Sequence, residues 1–158
     1  MRYVLAGGLV AGTFDIVYAC TFWVLKRGVA PQRIFQSVAA GLLGDASFTG
    51  GWPAAALGLA LHYFIAITMA ATYYFVARRW SLLWQRPLPL GAAYGLLLYG
   101  VMNYVVVPLS AARPGSKDPL WIVLSVIVHA LLIGIPCALF ARRAIAGPRN
   151  PTPSLAVQ

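Results

Sequence analysis

The stretch YVLAGGLVAGTFDIVYACTFWVL, residues 3–25, decides the fold of this chain. It is 23 residues long and carries a single charged side chain, Asp15. At about 1.5 Å per helical residue, a helix of this length crosses the ~30 Å hydrocarbon core of a bilayer. The segment therefore predicts a transmembrane helix, with a carboxylate near its middle that must face something other than lipid.

The composition of the whole chain agrees with a membrane protein. Of its 158 residues, 61% are hydrophobic and 9% are charged, whereas a soluble domain carries about 25% charged residues. The net charge of +9 reflects a scarcity of acids, since the chain has three Asp and no Glu. The Lys and Arg residues are spread between apolar segments and form no clustered basic face. The predicted partner is therefore the lipid bilayer and not a nucleic acid.

Four apolar segments are long enough to cross a membrane. They predict an all-α, integral membrane bundle of four transmembrane helices in one domain, residues 1–145. The predicted spans are residues 3–25, 53–77, 88–110 and 120–141. The remaining residues, 146–158, are rich in proline and polar side chains and predict a disordered cytoplasmic tail.

The loop between the first two spans contains a further helix signal. Pro31 is a favourable helix start, and RIFQSVAAGLL, residues 33–43, has helical spacing. A segment of this length is too short to cross a bilayer. We expect a short amphipathic helix that lies at the interface or re-enters the membrane.

The distribution of Lys and Arg predicts the orientation, because these residues favour the cytoplasmic side of a membrane protein. Seven of them belong to the termini and the second loop: Arg2, Arg78, Arg79, Arg86, Arg142, Arg143 and Arg149. Five belong to the first and third loops: Lys26, Arg27, Arg33, Arg113 and Lys117. The excess predicts that both termini are cytoplasmic.

Each predicted span carries one strongly polar group on a face rich in small or hydroxyl residues. Asp15 shares its helical face with glycines and alanine, which lets helices approach closely and turns the carboxylate into the bundle. Counted from the non-cytoplasmic ends, all four polar groups lie roughly 10–15 Å deep. We therefore predict one buried polar layer, a candidate ion or proton path, made of Asp15, His62, Asn103 and His129. The glycines predicted to pack helices together are Gly8, Gly12, Gly58 and Gly100.

Three interpretations of this layer remain open. The first is interhelical bonding alone, at about 0.6–2 kcal/mol per hydrogen bond. The second is a permeation or proton pathway, since ionisable groups at such depth are functional candidates. The third is a b-type haem with His62 and His129 as axial ligands from diagonal spans, and propionates paired with Lys26, Arg27 or Arg33. Asp15, His62 and His129 also have the ligand types of a zinc or iron site, but a metal site is not the prediction, because local ligand spacing such as HExxH is missing.

Several motifs together resemble a known group of proteins. They are LAGGLVAGTFD, APQRIFQSVAAGLLG, GGWPAAALGLALHY, YGLLLYGVMNYVVVPLS and HALLIGIP, within residues 5–143. They resemble a widespread group of small bacterial inner-membrane proteins with four predicted helices and no assigned function. The resemblance implies a bacterial inner-membrane location and supplies no site residues.

The sequence thus predicts a multi-pass inner-membrane protein without enzymatic activity. We expect a small transport or accessory subunit that self-associates or docks on a larger membrane complex, with no resident cofactor. One alternative is a bis-histidine haem electron carrier. The other is a structural role for the polar layer, combined with partner docking.

Overall fold

The computed structural model describes residues 1–147, and every element within them is helical. The helices are α1 (Arg2–Arg27), α2 (Pro31–Leu43), α3 (Gly51–Arg79), α4 (Ser81–Gln85), α5 (Pro87–Leu109) and α6 (Pro119–Ala146), with a 3₁₀ turn at Gly44–Phe48. Four of these, α1, α3, α5 and α6, are long and apolar enough to span a membrane. The prediction of an all-α chain with four such helices is confirmed.

The predicted spans lie within these four helices, apart from Ser110, which follows α5. The predicted tail lies outside the described residues, except that Ala146 ends α6 and Gly147 follows it. Val4 of α1 and Ala141 of α6 belong to one buried cluster, so both helix ends lie at the same end of the bundle. We call this the terminal end, and the opposite end, with α2 and residues 110–118, the loop end.

Helix α6 occupies the centre of the arrangement, because it packs against α1, α3 and α5. Helix α1 also packs along α3, whereas α5 packs mainly against α6. The expectation that the second and fourth spans are diagonal partners is therefore wrong. Alanines such as Ala70, Ala77 and Ala138 lie in the contact between α3 and α6, and such small residues let two helices approach closely.

Three of the four predicted packing glycines lie at close helix contacts. A Cβ atom on Gly8 would lie 2.6 Å from Ile67 Cα, and one on Gly12 would lie 3.0 Å from Ala66 Cβ. Gly58 faces the backbone carbonyl of Phe35 in α2, not another span. The fourth prediction is wrong, since a Cβ on Gly100 would meet no described atom within 4 Å.

The closest contact of α5 with α6 uses glycines that the sequence analysis missed. Gly95 lies against the carbonyl of His129, and Gly134 lies against the carbonyl of Gly91. The signal was available, because Gly91 and Gly95 form a GxxxG pair within an apolar span. These contacts hold α5 beside α6.

Two π-helical segments interrupt the third and fourth spans, at Met102–Val106 in α5 and His129–Gly134 in α6. Each is followed by a proline, Pro108 or Pro136. A proline inside a helix removes one backbone hydrogen bond and clashes with the carbonyl four residues earlier, and a wider turn accommodates that clash. Both segments begin at or beside residues of the predicted polar layer.

Helix α2 confirms the predicted short helix between the first two spans. It packs along the start of α3, where the Gln36 side chain is 2% exposed and donates through Nε2 to the Gly51 carbonyl at 3.1 Å. At its other end, the Gly41 carbonyl accepts from the Ala111 amide at 3.1 Å. Helix α2 therefore extends from α3 to the loop after α5 and covers the loop end of the bundle.

Two ion pairs join the segments of the loop end. Arg113 makes a two-pronged contact with Asp45, at 2.6 Å and 2.7 Å. Lys26, at the end of α1, pairs with Asp118, which also caps the first turn of α6. The carboxylates of both loop aspartates are therefore neutralised by a cation.

Candidate functional site

A cavity of about 180 Å³ lies near the middle of the bundle, beneath α2. It is lined mostly by apolar side chains from five helices, including Val38 of α2 and Met102 of α5. Three ionisable side chains also line it: Asp15 from α1, His62 from α3 and His129 from α6. We call this cavity the polar chamber. Three of the four members of the predicted layer thus share one space.

The Asp15 carboxylate is the least satisfied of these groups. Its side chain is 27% exposed, and its nearest ionisable neighbour is Nδ1 of His62, 4.0 Å from Oδ2. That separation is too long for a hydrogen bond, and no other described residue donates one to this carboxylate. A carboxylate on an apolar helix is costly without a partner. Asp15 therefore has its full accepting capacity available.

His62 joins two spans through one ring nitrogen and leaves the other free. Its Nε2 lies 2.8 Å from the Gly12 carbonyl of α1. A carbonyl can only accept, so Nε2 carries the proton and donates. In the neutral ring, Nδ1 is then an acceptor, and it points towards Asp15.

His129 has the opposite arrangement of its ring nitrogens. Its Nδ1 lies 2.9 Å from the carbonyl of Ser125, one turn earlier in α6. Nδ1 therefore donates, and Nε2 is the free acceptor in the neutral ring. The ring of Tyr99 packs against the imidazole at a centroid distance of 5.4 Å and an interplanar angle of 84°. This contact restrains the ring beside the chamber.

Asn103 does not join the chamber, so the prediction that it shares a layer with the other three is wrong. It lies in the π-helical segment of α5, and its Nδ2 donates to the Tyr99 carbonyl at 2.9 Å. Its Oδ1 lies 3.7 Å from where a Cβ on Gly115 of the third loop would be. The Asn103 amide therefore bonds a carbonyl of its own helix and faces the loop end.

Hydrogen bonds between spans are supplied largely by hydroxyl groups that the sequence analysis passed over. The hydroxyls of Thr13 and Tyr63 lie 3.0 Å apart and join α1 to α3. The hydroxyls of Tyr18 and Ser125 lie 3.1 Å apart and join α1 to α6. Tyrosines inside the apolar spans were the signal that could have identified these bonds. Asp15 and His129 contribute no such bond within the described chain.

An apolar groove runs between α3 and α5 and continues the chamber towards the terminal end. Ile65, Met69 and Met102 line both the chamber and the first part of the groove. The groove comprises two adjoining cavities of about 370 Å³ each, which share Tyr94 and Leu97. The chamber is thus the polar end of a longer, open apolar site.

The contact between α3 and α6 in the terminal half, by contrast, is closely packed. Ala77 and Ala138 are 0% exposed, and Tyr73 and Cys137 lie in the same buried cluster. These side chains fill the space between α3 and α6 below the chamber. Among the described residues, therefore, the chamber opens laterally into the groove and not through the bundle to the terminal end.

The residues present do not fit a bis-histidine haem. Nε2 of His62 is engaged by the Gly12 carbonyl, and the Phe35 backbone fills the space at Gly58. Lys26, one of the expected propionate partners, pairs with Asp118 instead. Within residues 1–147, no three His, Cys, Asp or Glu side chains could hold a metal ion.

Comparisons with known proteins do not assign the chain to a family. No protein-family model, curated protein or solved structure matches the chain. The functional argument therefore depends on the chamber itself.

Proposed function

We propose that this chain is a non-enzymatic membrane subunit, acting in transport or as an accessory to a larger assembly, that binds a proton or a cationic group at Asp15. One observation carries the proposal: the carboxylate lies on an apolar helix, accepts no hydrogen bond from the described residues and faces a cavity with two imidazoles. An ionisable group in a membrane span is costly and marks a functional site by default.

The chamber has the electrostatics of a cation site. Asp15 is its only acidic group, and no Lys or Arg is among the described residues that line it. The free lone pairs of neutral His62 and His129 add two acceptors beside the carboxylate. A bound proton or cation neutralises Asp15 and removes the cost of an isolated charge in an apolar site.

A purely structural role explains Asp15 less well. Thr13 with Tyr63, and Tyr18 with Ser125, already supply hydrogen bonds between the spans. His62 adds another, to the Gly12 carbonyl. Asp15 therefore adds a charge to the bundle without adding an interhelical bond.

The setting of this activity is part of the same proposal. We place the chain in a bacterial inner membrane with both termini in the cytoplasm, which puts α2 and the loop end on the periplasmic side. The close packing of α3 with α6 in the terminal half favours a binding site that opens from one side over a continuous pore. Four helices are too few for a wide pore, so a transport role involves a second copy or a larger complex.

Carbodiimide labelling tests the proposal directly. Dicyclohexylcarbodiimide reacts with protonated carboxyl groups in apolar surroundings, and the chain has only three Asp and no Glu to be labelled. Asp45 and Asp118 are paired with Arg113 and Lys26. We expect mass spectrometry of the purified protein to find the label at Asp15, with a rate that falls as the pH rises.

The variants Asp15→Asn and Asp45→Asn provide the matched control. Asp15→Asn should abolish labelling and leave the melting temperature in detergent nearly unchanged, whereas Asp45→Asn should leave labelling intact. Absence of label at Asp15 at every pH would overturn the proposal. A large loss of stability in Asp15→Asn would assign the carboxylate a structural role instead.

A further inference from the structure

We propose that the polar chamber and the apolar groove together hold a long-chain primary ammonium amphiphile, with its head at Asp15 and its tail between α3 and α5. The inference rests on the proposed function, since it names the class of cation that Asp15 binds. It is carried by two observations: the number of acceptors in the chamber, and the continuity of the chamber with the groove.

The chamber offers three acceptors to one cation. They are the Asp15 carboxylate, Nδ1 of neutral His62 and Nε2 of neutral His129. A primary ammonium group has three N–H donors and no acceptor, so its donors match these acceptors in number. A hydroxyl head has one donor, and a phosphate head would be repelled by Asp15, with no Lys or Arg among the described lining residues.

The groove has the dimensions of a single hydrocarbon tail. Along α3 it extends from Ile65, which also lines the chamber, to Val76. Those eleven helical steps correspond to roughly 16 Å, which is about half the ~30 Å thickness of the hydrocarbon core. This is the length that one acyl chain covers in one leaflet.

The hydroxyl groups along the groove are already bonded within the protein. The hydroxyl of Thr72 donates to the Thr68 carbonyl at 2.9 Å, and that of Tyr94 donates to the Met69 carbonyl at 2.8 Å. The groove therefore presents apolar surface to its occupant. Phe64 and Leu97 on its rim are 67% and 60% exposed, so a tail can enter sideways from the surrounding lipid.

Equilibrium binding of tritiated hexadecylamine to the purified protein tests this inference. Unlabelled hexadecylamine should displace the probe, while methylamine, which lacks the tail, and hexadecanol, which lacks the charge, should not. Asp15→Asn should weaken binding by about tenfold or more, because one partner of a desolvated charge pair is lost. Equal displacement by hexadecanol, or binding unaffected by Asp15→Asn, would overturn the inference.

Two neighbouring leucines of α5 provide a matched control for the tail. Leu97 lines the groove, whereas Leu96, 48% exposed, does not line either of its cavities. Leu97→Trp should fill the groove and reduce the affinity severalfold, and Leu96→Trp should leave it unchanged. Equal effects of the two variants would contradict a tail in the groove. A second copy of the chain could instead occupy the groove, and Leu97→Trp alone would then reduce the size of the assembly. That result would also contradict a tail in the groove.

The outcomes separate this inference from the proposed function. If carbodiimide labels Asp15 in a pH-dependent way but hexadecylamine binding is independent of Asp15, only the amphiphile is excluded. If Asp15 is not labelled at any pH, the cation site itself is excluded.

Discussion

The two halves of this bundle are built from the same four helices but differ in how those helices pack. In the terminal half, small residues such as Ala77 and Ala138 are 0% exposed, and α3 and α6 touch. In the half beneath α2, an aspartate and two histidines surround a cavity, and π-helical segments interrupt α5 and α6. Close packing and an open site thus coexist along single helices.

The difference shows how a small membrane protein separates stability from binding. Helix association in lipid depends on close van der Waals packing, which the alanines of the terminal half provide. Irregular turns and cavities forgo such contacts, and functional sites are commonly drawn from the less stable parts of a fold. The terminal half therefore supports the geometry of a chamber that contributes little to stability itself.

Overpacking the terminal half should produce the largest effect. Ala138→Leu adds volume at a position that is 0% exposed, and such changes cost about 1–3 kcal/mol or more. We expect a clear fall in the melting temperature in detergent. Val38→Leu, which adds one methylene beside the chamber, should have little effect. Equal losses in the two variants would contradict the comparison.

Detaching α2 should produce a smaller effect, confined to the chamber half. A Cβ on Gly58 would collide with the Phe35 carbonyl, whereas one on Gly41 would lie 3.9 Å from Ser110 Cβ, an ordinary contact. Gly58→Ala should therefore speed hydrogen exchange in residues 31–43, and Gly41→Ala should not. Unchanged exchange in Gly58→Ala would show that α2 does not depend on this contact.

Acidification should produce the smallest effect, at the loop end. The guanidinium of Arg113 lowers the pKa of Asp45. At a pH above its ordinary pKa of about 4, a carboxylate with a lowered pKa stabilises the folded state. This contribution to stability is lost as the pH falls through the lowered pKa. Because both groups are exposed, the contribution is small. Exchange of the Ala111 amide should accelerate modestly at acid pH, after correction for intrinsic exchange.

The control for this pH effect is Asp45→Asn, which removes the titrating group. In that variant the corrected exchange of the Ala111 amide should be independent of pH in the same range. A pH dependence that persists there would assign the effect to another group.

Much of the fold follows from hydropathy, but the details of contact do not. Helix length and composition predicted all four long helices, and the spacing after Pro31 predicted α2. Counting residues along regular helices placed Asn103 with Asp15, but the count could not foresee that its amide would bond the Tyr99 carbonyl. Likewise, a helical face shows that Gly100 is small but not whether a partner helix lies against it.

The measurement that tests the chamber most directly is the ¹⁵N spectrum of the imidazoles. The chain has only two histidines, so their signals can be assigned with one variant, His129→Gln. At a pH where both rings are neutral, the account predicts opposite tautomers: His62 protonated on Nε2 towards the Gly12 carbonyl, and His129 on Nδ1 towards the Ser125 carbonyl. The same tautomer in both rings would contradict it, because one of these two imidazole–carbonyl hydrogen bonds could not then form.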